Sequence, residues 1–136
     1  MSKKTITLLL MDAPFEQARV TTSFRIIEDA LEKGHNVNIF TYEGGVSLSF
    51  AHQKPHGNAV HGRSVDEEEH PLTKEWISCL QEKAKEKNST LNWINCGLCM
   101  DERGVNDAIE GCGRGGPANF LEWAKNSDGT LVIGTK

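Results

Sequence analysis

The sequence predicts an α/β protein: a mostly parallel sheet of about five strands with helices on both faces, in three layers. Three observations lead there. The first apolar run, Thr5-Ile-Thr-Leu-Leu-Leu-Met11, carries no charge, as expected of a strand buried on both sides. The period then changes. Val20, Phe24, Ile27 and Leu31 recur at steps of three and four, one apolar stripe of a helix. Strand-like and helix-like stretches alternate to the end of the chain, and that order implies parallel strands joined by right-handed crossovers.

Each element has its own signals. Asp12-Ala-Pro14 breaks the first strand, and a helix follows from about Phe15 to Lys33, with Gly34 placed to end it. Asn36 to Tyr42 reads as the second strand. Glu43 to His70 lacks a clear period and holds four glycines, one proline and four of the five histidines; loops this long in a compact domain tend to be functional or mobile. A second helix is expected over about Pro71 to Lys87, with Leu72, Trp76, Leu80 and Ala84 on one face and Cys79 beside it as filler at or near the core. Leu91 to Asn95 is the third strand, and Cys96 to Arg103 a turn and short helix. Val105 to Glu110 is ambiguous, with room for a short fourth strand, whereas Gly111-Cys-Gly-Arg-Gly-Gly116 reads as a flexible loop. Pro117 suits the first position of a last helix, through about Asn126, and Phe120, Leu121 and Ala124 give it an apolar face. Asp128-Gly129 turns the chain into a final strand from Thr130 to Gly134. With no repeat and no linker, residues 1–136 are expected to form a single domain.

Composition narrows the function. At 38% hydrophobic and 25% charged, the chain has the make-up of an ordinary soluble protein. A net charge of -4 and the absence of a long basic run argue against a nucleic-acid surface. No segment approaches the length of a membrane span. The start, Met-Ser-Lys-Lys followed by Thr5 to Met11, superficially resembles an export signal. Asp12, Glu16 and Arg19 follow it at once, so a buried first strand is the better reading and the expected compartment is the cytoplasm. Four cysteines there are expected to be reduced, metal-bound or catalytic rather than paired as structural disulfides.

The candidate chemistry lies around Cys96. A thiol where a buried strand delivers the chain to a helix start faces unpaired N–H groups and the positive end of the helix dipole, which favour the thiolate. Cys99 completes a Cys-Gly-Leu-Cys motif. That spacing suits thiol–disulfide exchange, half of a zinc site, or sulfur carriage by Cys96 with Cys99 as bystander or internal acceptor. Arg103, about two helical turns on, is a source of positive potential or an anion ligand. Cys112 sits in the glycine-rich loop, where Gly113, Arg114, Gly115 and Gly116 precede a helix start that could hold an anion. His52, His56 and His61 form His-x3-His-x4-His, close to metal-ligand spacing, although Pro55 and Gly57 disfavour a helix there. One of these histidines, or Lys54, could instead reach and tune the Cys96 sulfur. In a parallel sheet the working residues gather at the carboxyl ends of the strands. The rim should therefore unite Asp12–Phe15, the histidine-rich segment and Cys96–Cys99.

The order of motifs resembles the DsrE/DsrF/TusD-like sulfur-relay proteins. Ala30-Leu-Glu-Lys-Gly34-His35-Asn-Val37-Asn-Ile-Phe40 followed by Gly44-Gly45-Val46 resembles their start. Cys96…Arg103-Gly104-Val105 resembles their active-site segment, and Leu131-Val-Ile-Gly134 their closing strand. The resemblance implies a flavodoxin-like three-layer sandwich, assembly into trimers or hexamers, and a cysteine that carries sulfur as a persulfide between a donor and an acceptor protein. Cys96 is the residue that matches that cysteine; Arg103 and Gly104 match without an assigned role. Cys99, Cys112 and the histidine-rich segment depart from the one-cysteine pattern. The reading that follows is a cytoplasmic sulfur carrier or sulfurtransferase, with no cofactor and no nucleic-acid partner. Two alternatives stand beside it: a thiol–disulfide oxidoreductase using Cys96 and Cys99, and a metal- or ligand-binding subunit using His52, His56 and His61.

Overall fold

The structure is a computed structural model that describes residues 2–57, 59–68 and 71–135. Asn58, Glu69 and His70 of the long segment lie outside them. The first apolar run forms β1 (Thr5–Leu10), flanked by β2 (Asn36–Thr41) and β5 (Gly129–Ile133). β3 (Leu91–Cys96) and β4 (Cys112–Gly115) continue the sheet beyond β2. Every pairing is parallel and the order is β4-β3-β2-β1-β5. This is the expected α/β, flavodoxin-like arrangement.

Handedness explains where the helices go. The chain steps in one direction from β1 to β3, so right-handed crossovers put α1 (Ala18–Glu32) and α3 (Thr73–Glu86) on the same face. α5 (Pro117–Asn126) carries the chain back from β4 to β5, and the reversed direction puts it on the other face. Strand alternation sorts the core accordingly. Leu8, Ile39 and Trp93 stand in register and pack with Phe24 and Ile27 of α1 and Ile77 and Leu80 of α3. Their neighbours Leu9, Phe40 and Ile94 face Phe120 and Trp123 of α5 and the short helix α4 (Gly97–Arg103). α2 (Val65–Glu68) is a single turn with no buried residue.

The α1 stripe Val20, Phe24, Ile27 and Leu31 is buried. Gly34, at φ 82°, ends that helix, with its N–H donating to the Leu31 carbonyl and the His35 N–H to the Ala30 carbonyl, both at 2.9 Å. The helix starts at Ala18 rather than Phe15, because Phe15 sits in the left-handed region at φ 57° and no helix passes through such a residue. The fourth strand is not in Val105–Glu110. That stretch is drawn across to Phe50, where the Ala51 N–H donates to Asp107 O at 2.7 Å and the Ile109 N–H to Ser49 O at 2.9 Å. The edge place beside β3 is taken by Cys112–Gly115, part of the expected flexible loop, through backbone pairing that needs no side-chain pattern. Cys79 is exposed rather than core filler, because the buried line of α3 runs through Thr73, Ile77, Leu80 and Ala84.

After β2 a 3₁₀ turn, Glu43–Ser47, folds over the carboxyl end of β1. Gly45 makes this possible: a Cβ there would stand 2.3 Å from the Leu10 carbonyl oxygen. Gly44 likewise lies against the backbone of Ala13 and Met11. The rim above β1, β2 and β3 is thereby closed into one surface.

Candidate active site

β3 ends at Cys96 and α4 begins at Gly97, so Cys96 is the residue from which the helix springs. Its backbone is still extended, at φ −63° and ψ 116°. The side chain is only 4% exposed and packs with Phe40, Val46, Cys99 and Met100. The expected bond from the first helical amides to the sulfur is not made. One turn of helix instead brings Cys99 onto the same side, and the two thiols pack in one buried cluster close enough to influence each other. Both are free thiols.

Cys99 is 5% exposed, and its Sγ accepts the Glu43 N–H at 3.3 Å. Burial pushes its pKa up, and the neighbouring Cys96 adds to that; the Glu43 amide works the other way. Cys99 is therefore held as a protonated thiol that can donate to the Cys96 sulfur. Glu43 itself, at φ 50°, is turned so that its amide points at α4 and its carboxylate at Arg103.

Arg103 does not face Cys96. Its Nη2 donates to Glu43 Oε2 at 2.8 Å and its Nη1 to the Cys99 carbonyl at 3.4 Å, so it staples α4 to the 3₁₀ turn. The cation that does bear on the site is Arg114 of β4. Its Nη1 and Nη2 form a paired bond to the two oxygens of Asp101, at 2.9 and 2.7 Å, and its guanidinium lies over Gly97. Asp101 holds the Arg114 pKa up, with a smaller contribution from Cys96, and Arg114 holds that of Asp101 down. Sequence spacing could not single out this arginine, because only the pairing of β4 with β3 brings it near. Its one signal was the run of glycines around it.

The remaining candidates lie elsewhere. Cys112 is opposite Trp93, three residues before Cys96, and packs on the α1/α3 face. At about 3.3 Å per residue along a parallel strand this places it roughly 10 Å away on the other side of the sheet. Burial pushes its thiol up to about 12, against a contact with Ser49 that lowers it. His52 bonds to Asp107 at 3.0 Å and packs edge-on to Phe50. His56 and Lys54 line a cleft of about 400 Å³ with Pro14, Phe15 and Leu72. Among the described residues no group of three His, Cys, Asp or Glu side chains that could hold a metal ion is found. Of the three rim loops, the start of the long segment joins Asp12–Phe15 and Cys96–Cys99, through Gly44, Gly45 and Glu43.

A model of the DsrE/DsrF-like family matches residues 4–133. The chain belongs to the DsrE/DsrF-like family. It is 30% identical over 131 residues to the uncharacterized protein MK0008 of Methanopyrus kandleri, covering 94% of this chain and 93% of that one. The crystal structure of the ychN protein from E. coli superposes with a TM-score of 0.73 at 20% identity, covering 98% of this chain and all of that one. A conserved protein of unknown function from Bacteroides thetaiotaomicron, BT1422, gives 0.58 at 15% identity, covering 96% of this chain and 95% of that one. At these identities the two structures share the fold with this DsrE/DsrF-like chain. Among its described residues no helix is long and apolar enough to cross a membrane.

Proposed function

We propose that this DsrE/DsrF-like protein is a sulfur carrier whose Cys96 holds sulfane sulfur as a persulfide and passes it to a partner thiol. The observation that carries the reading is the Cys96 sulfur at the β3–α4 junction, with a protonated thiol donor, Cys99, on one side and a cation, Arg114, nearby. In loading, the Cys96 thiolate attacks the outer sulfur of a donor persulfide, giving Cys96–S–SH and the donor thiolate. In delivery, an acceptor thiolate attacks that outer sulfur and regenerates the Cys96 thiolate. Both steps are sulfur transfers with no net oxidation, so no cofactor is needed.

Cys96 is enclosed, so partners must meet it at a surface that opens. Leu98 on α4 is 68% exposed and Leu121 on α5 is 63% exposed, and these apolar side chains suit contact with donor and acceptor proteins. They suit equally the homo-oligomer, a trimer or hexamer, that family membership suggests. A cytoplasmic location fits the free thiols.

A second reading has its own observation. The contact between Cys96 and Cys99 also suits a reversible disulfide, and thiol–disulfide exchange would use both sulfurs. Transfer assays separate the two. Protein loaded with a polysulfide is mixed with a small acceptor thiol, and the persulfide formed on that acceptor is measured. The carrier reading expects transfer from wild type and from Cys99→Ser, and none from Cys96→Ser. Loss of transfer in Cys99→Ser, with Cys96 still loaded, would favour the oxidoreductase.

A further inference from the structure

Arg114 lies against Gly97, the residue after Cys96, in a position that depends on that glycine. β4 pairs with β3 so that Gly115 stands opposite Cys96 and Arg114 opposite Asn95. The Arg114 side chain extends past the end of β3 and lays its guanidinium on Gly97. A Cβ at Gly97 would stand 2.8 Å from Nε, 2.9 Å from Cζ and 3.0 Å from Nη2. Glycine therefore leaves room for the cation against the backbone just after Cys96. Asp101 fixes it from the other side through Nη1 and Nη2, and Nε–H is left uncommitted among the described residues.

Resting on the carrier reading of Cys96, we infer that Arg114 supplies the counter-charge for the outer sulfur of the loaded persulfide, so that the site holds sulfur in its anionic form. A persulfide is a stronger acid than its parent thiol and carries its charge on the outer sulfur. Such an anion on an enclosed residue needs a partner of opposite charge. The groups facing it are few. α4 offers Cys99 and Asp101, the 3₁₀ turn offers Glu43, and Tyr42 of the β2 end packs into the same cluster. α5 contributes Phe120 and Trp123. Glu43 is matched by Arg103, which leaves Arg114 to answer a new negative charge. Arg114 and Asp101 are each about half exposed, so solvent screens the pair while its two-point geometry holds the guanidinium in place. The Nε–H that Asp101 does not engage is the donor left to meet the outer sulfur. Asp101 thus positions the arginine beside the site before sulfur arrives.

The test titrates the loaded persulfide. Wild type, Arg114→Gln, Arg114→Lys, Gly97→Ala and Cys96→Ser are treated with inorganic polysulfide, and the near-ultraviolet absorbance of the persulfide anion is followed against pH. Gly97→Ala keeps every charge but displaces the guanidinium. The expected result is an apparent pKa about one unit higher in Arg114→Gln and Gly97→Ala, with part of the shift restored in Arg114→Lys. If both variants load on Cys96 and titrate as wild type, the role of Arg114 is overturned and the carrier reading stands. If Cys96 takes no sulfur, or Cys96→Ser takes as much as wild type, the carrier reading fails and the role of Arg114 with it.

Discussion

Gly45→Ala is the sharpest test of how the rim is assembled. The added Cβ would stand 2.3 Å from the Leu10 carbonyl oxygen and 3.0 Å from its carbon. Both are backbone atoms of a central strand, so neither can swing aside. Reaching even a 3.0 Å separation from the oxygen requires a movement of roughly 0.7 Å in β1 or in the 3₁₀ turn. Overpacking of this kind costs about 1–3 kcal/mol. For a chain of this length that is a fall in Tm of about 3–10 °C. The turn is the softer element, and it carries Glu43, whose amide meets Cys99 and whose carboxylate meets Arg103. Its displacement should loosen α4 and raise the native-state reactivity of Cys99. Thermal melting and thiol alkylation read the two effects. Gly129→Ala is the control, since nothing lies within 4 Å of a Cβ there. A Gly45→Ala protein that melts with wild type would refute the packing argument.

Four further outcomes are expected. Asn95 is fully buried, accepts from Thr41 at 2.5 Å and from Trp93 Nε1 at 3.2 Å, and donates to Ser49 at 2.9 Å. Asn95→Ala should cost about 2–4 kcal/mol in urea unfolding, and a loss under about 0.5 kcal/mol would mean that the network is not needed. Arg103→Gln removes a half-exposed staple, so stability should change by less than about 1 kcal/mol and the titration of the loaded persulfide not at all; a raised persulfide pKa would assign Arg103 the part given to Arg114. Burial pushes the Cys112 thiol up from its ordinary 9.0 to about 12. Between those values the unfolded chain sheds a proton that the native state keeps, so stability falls as pH rises through that window, by about 1.4 kcal/mol per pH unit at most. Comparing urea unfolding of wild type and Cys112→Ala at pH 8 and pH 10 isolates that slope, and equal slopes would contradict it. The same thiol should label far more slowly than exposed Cys79 in the native state.

The sequence was most legible where side-chain pattern and backbone geometry coincide. The uncharged first strand, the α1 stripe and the Pro117 helix start each follow from one strong local constraint. It was least legible where backbone pairing alone decides. β4 is Cys-Gly-Arg-Gly at a sheet edge, and its strand character comes from its neighbour β3. The same limit hid Arg114: its distance from Cys96 along the chain says nothing until β4 is in register. Arg103 looked the better candidate by spacing, but the twist of α4 points it to Glu43. The Cys96–Cys99 contact was implied by the CxxC spacing, whereas the missing cap bond to Cys96 depends on packing against Phe40 and Val46. The loop histidines have ligand-like spacing with Pro55 and Gly57 between them, and among the described residues no group of three metal-ligating side chains is found.

The central claim is that Cys96 carries the sulfur. It is tested most directly by incubating the protein with a sulfane-sulfur donor, capping free thiols, and locating the added mass by fragmentation of the peptide that contains Cys96 and Cys99. The account predicts one added sulfur atom on Cys96, unchanged in Cys99→Ser and in Cys112→Ser and lost in Cys96→Ser. Added sulfur on Cys99 or Cys112 with Cys96 bare, or equal uptake by Cys96→Ser, would contradict it.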